Sequence, residues 1–261
     1  MPRQQQAQAE HQSETLVAFR SFLICSARDQ TGNERRSMNR RDFVVLTFAC
    51  AVRLSTASRG VGQQKVMEPD LAKLADGKGL ELFNRSTTSF NEAGKNGIRL
   101  SENAGEGVAY IQGIEFANGT IEFDVKGKDV QQQSFVGVAF HGIDGTTYDA
   151  IYFRPFNFKA EDPIRRSHGV QYISHPTYTW QKLRSEQPGK YEHAVNPVPD
   201  PNAWFHARVV VQSPNVSAFV GGAKEPSLVI TQLSDRKRGL IGLWVGNNSA
   251  GEFAKLKIAA A

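Results

Sequence analysis

Beyond Leu80 the chain repeatedly alternates apolar and polar side chains. Ile121-Glu-Phe-Asp-Val125 puts three apolar residues on one face and two acids on the other. In residues 135–141, Val136, Val138 and Phe140 share a side. In 149–154, Ile151 and Phe153 do, with Tyr152 and Arg154 opposite. Phe205, Ala207, Val209 and Val211 form another stripe, and residues 216–220, 227–232, 239–245 and 253–258 continue the pattern. A period of two suits an extended strand between a core and water, and a helix of 3.6 residues per turn cannot match it. About ten or more such runs, separated by Gly, Asn, Asp and Pro, predict an all-β fold of two antiparallel sheets. Only residues 68–74 read as a short helix, and no internal repeat is present.

The alternation fails from Pro155 to Pro201, a stretch rich in Pro, His, Tyr, Arg and Asn in which only residues 170–173 look like a strand. A long irregular insertion in a compact domain is usually functional. It is where aromatic and charged residues not needed for the core are expected.

The N-terminal quarter reads differently. Met38-Asn-Arg-Arg-Asp-Phe-Val-Val-Leu-Thr-Phe-Ala-Cys-Ala-Val52 places paired Arg40 and Arg41 ahead of an apolar run. It resembles a twin-arginine export signal, with small residues at Leu54-Ser-Thr-Ala57 for cleavage. A buried amphipathic helix is the alternative, and Phe48 argues against a lipid anchor on Cys50. The expected order is an over-called start at 1–37, or a genuine extended leader, then a signal peptide at 38–57. A linker at 58–74 and a sandwich at 75–258 follow. The mature protein would be exported to the periplasm or beyond. Both cysteines, Cys25 and Cys50, precede residue 58, so the remainder can hold neither a disulfide nor a thiolate metal site. No apolar run approaches the roughly 18 residues of a membrane span. The net charge of +5 divides into +3 for residues 1–57 (eight basic, five acidic) and +2 for the rest (23 basic, 21 acidic). A balance so near neutral gives no case for nucleic-acid binding.

Three phrases then combine: Asn118-Gly-Thr-Ile-Glu-Phe-Asp-Val125, Trp204-Phe-His-Ala-Arg-Val-Val-Val211, and Gly239-Leu-Ile-Gly-Leu-Trp244 with Gly251-Glu-Phe-Ala-Lys-Leu-Lys-Ile258. In order and spacing, residues 75–258 resemble the concanavalin A-like lectin/glucanase superfamily, including laminin-G-like and bacterial 3-keto-disaccharide hydrolase-like domains. The resemblance implies a jelly-roll sandwich and a carbohydrate partner. It does not choose between binder and enzyme, and it admits a structural calcium ion whose ligands the sequence does not name.

Family 16 glycoside hydrolases of this fold carry Glu-x-Asp-x-(x)-Glu on one strand. Glu122-Phe-Asp124 matches the first two positions, but Lys126 or Gly127 replaces the third carboxylate, so the pair that a retaining mechanism needs is incomplete. A solvated, charge-paired strand face is the simpler reading. There is no Gly-x-Ser-x-Gly elbow and no His-Glu-x-x-His motif. His141, His168, His175, His193 and His206 are not spaced as metal ligands.

Sugars are held by aromatic faces and by forked donors. Tyr152, Arg154, Asn157, Arg165, Gln171, His175, Trp180 and Tyr191 are therefore the candidate ligand-binding residues, forming a concave polar-aromatic patch. Alternatively, Trp180 and Tyr191 plug the sandwich while the arginines neutralise Glu161, Asp162 and Glu186. Trp204, Trp244, Phe156 and Phe158 are expected in the core. Glu192 is the candidate acid/base, and Glu192→Gln is expected to abolish any turnover while sparing the fold. Three readings remain open: a glycan-binding module, a glycoside hydrolase or 3-keto-glycoside hydrolase, and a non-catalytic cell-envelope interaction domain.

Overall fold

The alternating runs form strands, and the computed structural model describes residues 65–76, 79–92 and 94–261. The expected leader at 1–57 and its two cysteines lie outside the described residues. In chain order the elements begin β1 (Lys65–Met67), α1 (Leu71–Asp76), β2 (Leu80–Phe83), β3 (Thr87–Glu92), β4 (Lys95–Leu100) and β5 (Gly107–Phe116). They continue β6 (Gly119–Lys126), β7 (Val136–Gly142), β8 (Asp149–Phe153), α2 (Pro155–Phe158), α3 (Pro163–Arg166), β9 (Val170–Ser174) and α4 (Trp180–Glu186). The last are β10 (Glu192–His193), β11 (Phe205–Gln212), β12 (Asn215–Val220), β13 (Leu228–Thr231), β14 (Gly239–Val245) and β15 (Gly251–Ala260).

Two antiparallel sheets result. One runs β13-β12-β11-β6-β15-β4-β3, and β1 pairs with β15 where β4 stops. The other runs β10-β9-β8-β7-β14-β5-β2. Ile121, Phe123, Val125, Val209 and Phe253 of the first sheet and Val138, Phe140, Ile151, Phe153 and Leu243 of the second are buried between them. Phe153 and Phe205 meet edge to face across the gap at 5.4 Å. The stripes read from the sequence are thus the two inner faces of the sandwich.

Three expectations change. The sheet begins at Lys65, ahead of the expected boundary at 75. The irregular segment carries three short helices, α2, α3 and α4, two of them opened by prolines. The apparent absence of periodicity came from their lengths of four to seven residues, less than two turns each. Trp204 lies on the outer side of its sheet, because it precedes Phe205 by one residue and alternation sends it outward. There it packs on Phe90 at 5.8 Å, with the Lys95 ammonium 5.0 Å from its ring. Phe158 is buried in the core as expected, whereas Trp244 and Phe156, although buried, pack on the far side of the second sheet, Trp244 beside Tyr152 and Phe156 against Phe135.

The face of the second sheet away from the first is also largely covered. Trp244, Gly137, Tyr152, Gln171 and Glu192 stand in register across five strands, one row on one face. Gly137 lets the rings beside it converge: Tyr152 and Trp244 reach 4.7 Å over a position with no side chain.

Candidate functional site

Arg154 follows Tyr152 by two residues, so its side chain rises from the same face, one step beyond the row. It is only 4% exposed. Its Nη2 donates to the Tyr152 hydroxyl at 2.7 Å and to Oε1 of Gln171, and its Nη1 donates to the His168 carbonyl at 3.0 Å. Burial lowers the pKa of this guanidinium. The compensating charge is Glu192, whose Oε2 lies 3.5 Å from Arg154 Nη1.

Glu192 is gripped from a second side by Arg184 of α4. Nε donates to Oε1 at 2.9 Å and Nη2 to Oε2 at 2.6 Å, a bidentate fork. The helix starts where Thr179 caps it, its hydroxyl accepting from Lys182 N. Trp180 and Arg184 are then one turn apart on one side, and the guanidinium lies 5.0 Å from the indole ring.

His168 completes the cluster. Its Nδ1 is 2.9 Å from Oε2 of Glu192, a contact off the direction of a linear hydrogen bond. Partial burial lowers the imidazole pKa, and the nearby carboxylate does not offset that shift, so the ring is neutral at neutral pH. With Nδ1 turned to the carboxylate, Nε2 points the other way.

Above this cluster opens a pocket of about 140 Å³. Phe135, Phe156 and Trp180 wall it, Arg154, Arg165, Arg184 and His168 supply charge and a ring nitrogen, and Asn157, Gln131 and Gln132 add amides. Its volume is small beside the 300 Å³ and upward of sites for drug-sized ligands.

Of the residues singled out from sequence, Arg154, Asn157, Arg165 and Trp180 line this pocket together. Tyr152, Gln171 and Glu192 lie beneath it, buried. Tyr191 is 3% exposed and packs on Tyr172 at 5.9 Å in the core, the plug role held as its alternative. His175 joins a different cluster, stacked on Tyr148 at 5.3 Å, with its Nε2 3.5 Å from Glu106. His168, Arg184 and Phe135 were missed. A Thr-Trp-x-x-x-Arg spacing at 179–184, a cap followed by an i, i+4 pair, was the signal for Arg184. His168 had none beyond its place two residues before a strand.

Glu122 and Asp124 stand on the outer face of the other sheet. Asp124 accepts from Lys95 Nζ at 2.6 Å and from His206 Nδ1 at 3.0 Å. Partial burial pushes its carboxyl up, and those two bonds outweigh burial and carry it below the ordinary value. This is the charge-paired strand face that the alternation implied. Among the described residues no group of three or more His, Cys, Asp or Glu is arranged to hold a metal ion, and no helix is long and apolar enough to cross a membrane.

A family model described as 3-keto-alpha-glucoside-1,2-lyase-like domain matches residues 70–259. The chain belongs to this family. Among solved structures the domain is similar to carbohydrate-binding module CBM66 from Bacillus subtilis, at 14% identity and a TM-score of 0.50 over 69% of this chain and 96% of that one. It is also similar to a Bacillus subtilis protein of unknown function with a galectin-like fold, at 11% identity and a TM-score of 0.51 over 74% and 94%. At such identities the likeness concerns the fold, the concanavalin A-like sandwich expected from the sequence. No curated protein matches the chain. In this 3-keto-alpha-glucoside-1,2-lyase-like domain, the pocket puts a neutral imidazole beside a buried carboxylate and among guanidinium groups. Such a set can accept a proton and stabilise a developing oxyanion.

Proposed function

We propose that the chain is an exported carbohydrate-processing protein that seats one sugar residue in the pocket walled by Trp180. We further propose that it cleaves a 3-keto-glycoside by elimination, as the family description suggests. The observation that carries this reading is the Glu192–His168 contact at the base of an aromatic-walled pocket. Export rests on the paired arginines and apolar run at 38–57 alone.

In a 3-keto sugar, the hydrogen on C2 is acidified by the neighbouring carbonyl. Nε2 of His168 takes that proton. The C–H electrons form a C1–C2 double bond, the C1–O bond breaks, and the departing oxygen receives the proton held on His168, so that the substituent leaves as an alcohol and the imidazole returns to its neutral form. An unsaturated ketone remains, with no water consumed and no oxidation. In this reading Arg154 and Asn157 steady negative charge on the carbonyl oxygen, and Glu192 holds the imidazole ring and balances its charge once it is protonated. This moves the proton-transfer role from Glu192, whose oxygens are engaged with Arg184, to His168.

The test is ultraviolet detection of the conjugated ketone from a 3-keto-glucoside. His168→Gln should lower kcat by about 10²- to 10⁴-fold, the span of general-base catalysis, with sugar binding retained. A wild-type protein that binds the sugar but forms no product would favour the second reading, a binding module whose aromatic walls suffice for recognition. A wild-type protein that binds none of these sugars would remove both readings.

A further inference from the structure

The pocket carries more positive charge than its own carboxylate balances. Three guanidinium groups, Arg154, Arg165 and Arg184, line it, and among the described residues no acid does. Among the described residues only Glu192 lies beneath, paired with Arg154 and Arg184. With His168 neutral, three positive charges against one negative leave two in excess. Developing charge on a reacting oxygen accounts for one. Arg165 remains, exposed at the pocket and without an ion pair among the described residues. Its neighbour Asp162 is occupied elsewhere, capping α3 by accepting from Ile164 N at 2.9 Å. Among the described residues Arg165 makes no ion pair with Glu161, Asp162 or Glu186, so the alternative of arginines that merely neutralise those acids does not describe it.

We infer that the pocket selects a sugar bearing an anionic substituent, a carboxylate or a phosphate, and that Arg165 is the residue that reads it. This rests on the reading of the pocket as a sugar site. Guanidinium is a planar fork whose parallel N–H donors match the oxygens of either group. The field of two uncompensated cations also draws an anionic ligand inward, an effect that salt weakens.

The experiment is calorimetric titration of the full chain with methyl α-glucoside, methyl α-glucuronoside, glucose 6-phosphate and methyl phosphate. At least one acidic sugar should bind about tenfold more tightly than methyl α-glucoside in dilute buffer, and that ratio should shrink as salt is raised. Which of the two prevails identifies the anionic group. Arg165→Gln should bring the ratio close to one, and Arg165→Lys should keep part of it. Arg165 is exposed, so both variants are expected to fold, and their thermal midpoints check that. Equal binding of neutral and acidic sugars overturns this inference alone, as does a preference that survives Arg165→Gln. Methyl phosphate binding as tightly as glucose 6-phosphate overturns it too, because the site would then recognise a bare anion. No binding of any sugar overturns the sugar-site reading and this inference with it.

Discussion

Arg184 and Glu192 meet through two parallel hydrogen bonds, 2.9 Å and 2.6 Å, on a carboxylate that is 3% exposed. The same carboxylate faces Arg154 and His168. Glu192→Gln keeps the shape but leaves Arg154 buried without its counter-charge. The cost of removing one partner of a buried ion pair is about 3 kcal/mol. Urea titration of the variant should show that loss. Sequence alone had suggested a fold-neutral substitution, and an unchanged urea midpoint would restore that view. Loss of turnover in this variant is consequently a poor probe of chemistry, which is why His168→Gln is the better one.

The strands were legible because each inner face is a run of alternate apolar residues: Phe205, Ala207, Val209 and Val211 are all buried, as their spacing implies. The convergence of Tyr152, Arg154 and Gln171 was half legible. Alternation put the first two on one face, but only the register of β8 against β9 brings Gln171 opposite Tyr152. His168 and Arg184 were not legible as partners of Glu192. Their meeting depends on how a short helix and a two-residue strand fold back over a sheet edge, and no local periodicity records that. Tyr191 shows the limit in the other direction: it neighbours Glu192 in sequence, and alternation turns it toward Tyr172 and the core.

His141 gives a pH dependence of stability. It is fully buried, its Nε2 donates to the Ala117 carbonyl at 2.6 Å, and its Nδ1 accepts from the Gln232 amide at 3.0 Å. Gln232 is oriented by the Ser213 hydroxyl, which donates to its Oε1. A proton on Nδ1 would face the Gln232 N–H. Asp149, 3.9 Å away, favours the protonated ring, whereas Arg236 opposes it. Burial prevails and the pKa is lowered, as it is for His168. The unfolded chain, with its histidines near pH 6.5, then takes up protons that the folded chain refuses. Stability should fall as pH drops below about 6.5 and level off once the folded pKa values are passed. Thermal midpoints between pH 8 and 5 test this, and a midpoint that rises toward acid would contradict it.

Gly137 sits between Tyr152 and Trp244 in the row beneath the pocket. A Cβ there would lie 2.1 Å from the Ile151 carbonyl oxygen and 2.6 Å from Tyr152 Cα, both backbone atoms that cannot swing aside. Gly137→Ala should therefore cost about 1–3 kcal/mol, as overpacking does. It should also displace Tyr152, whose hydroxyl receives the Arg154 bond, so sugar affinity should fall together with stability. Denaturant titration and calorimetry on the same variant check both.

Asp124 provides the contrast, because its carboxylate is half of the motif that suggested a glycosidase and yet lies on the opposite sheet from the pocket. Lys95 at 2.6 Å and His206 at 3.0 Å hold it, with Lys255 at 3.6 Å. Asp124→Asn removes a depressed, partly buried carboxylate and should cost about 1 kcal/mol at neutral pH, typical of one such hydrogen-bonded pair. Because the folded pKa is below the ordinary value of 3.8, that stabilisation is present above the unfolded pKa and disappears as pH falls through the folded one. Wild type and variant should therefore differ in urea midpoint at pH 7, and the difference should shrink as pH falls below 3.8. Sugar binding and turnover should be unaltered in Asp124→Asn, since no pocket residue touches it. A variant of normal stability that had lost turnover would relocate the active site to the outer face of β6.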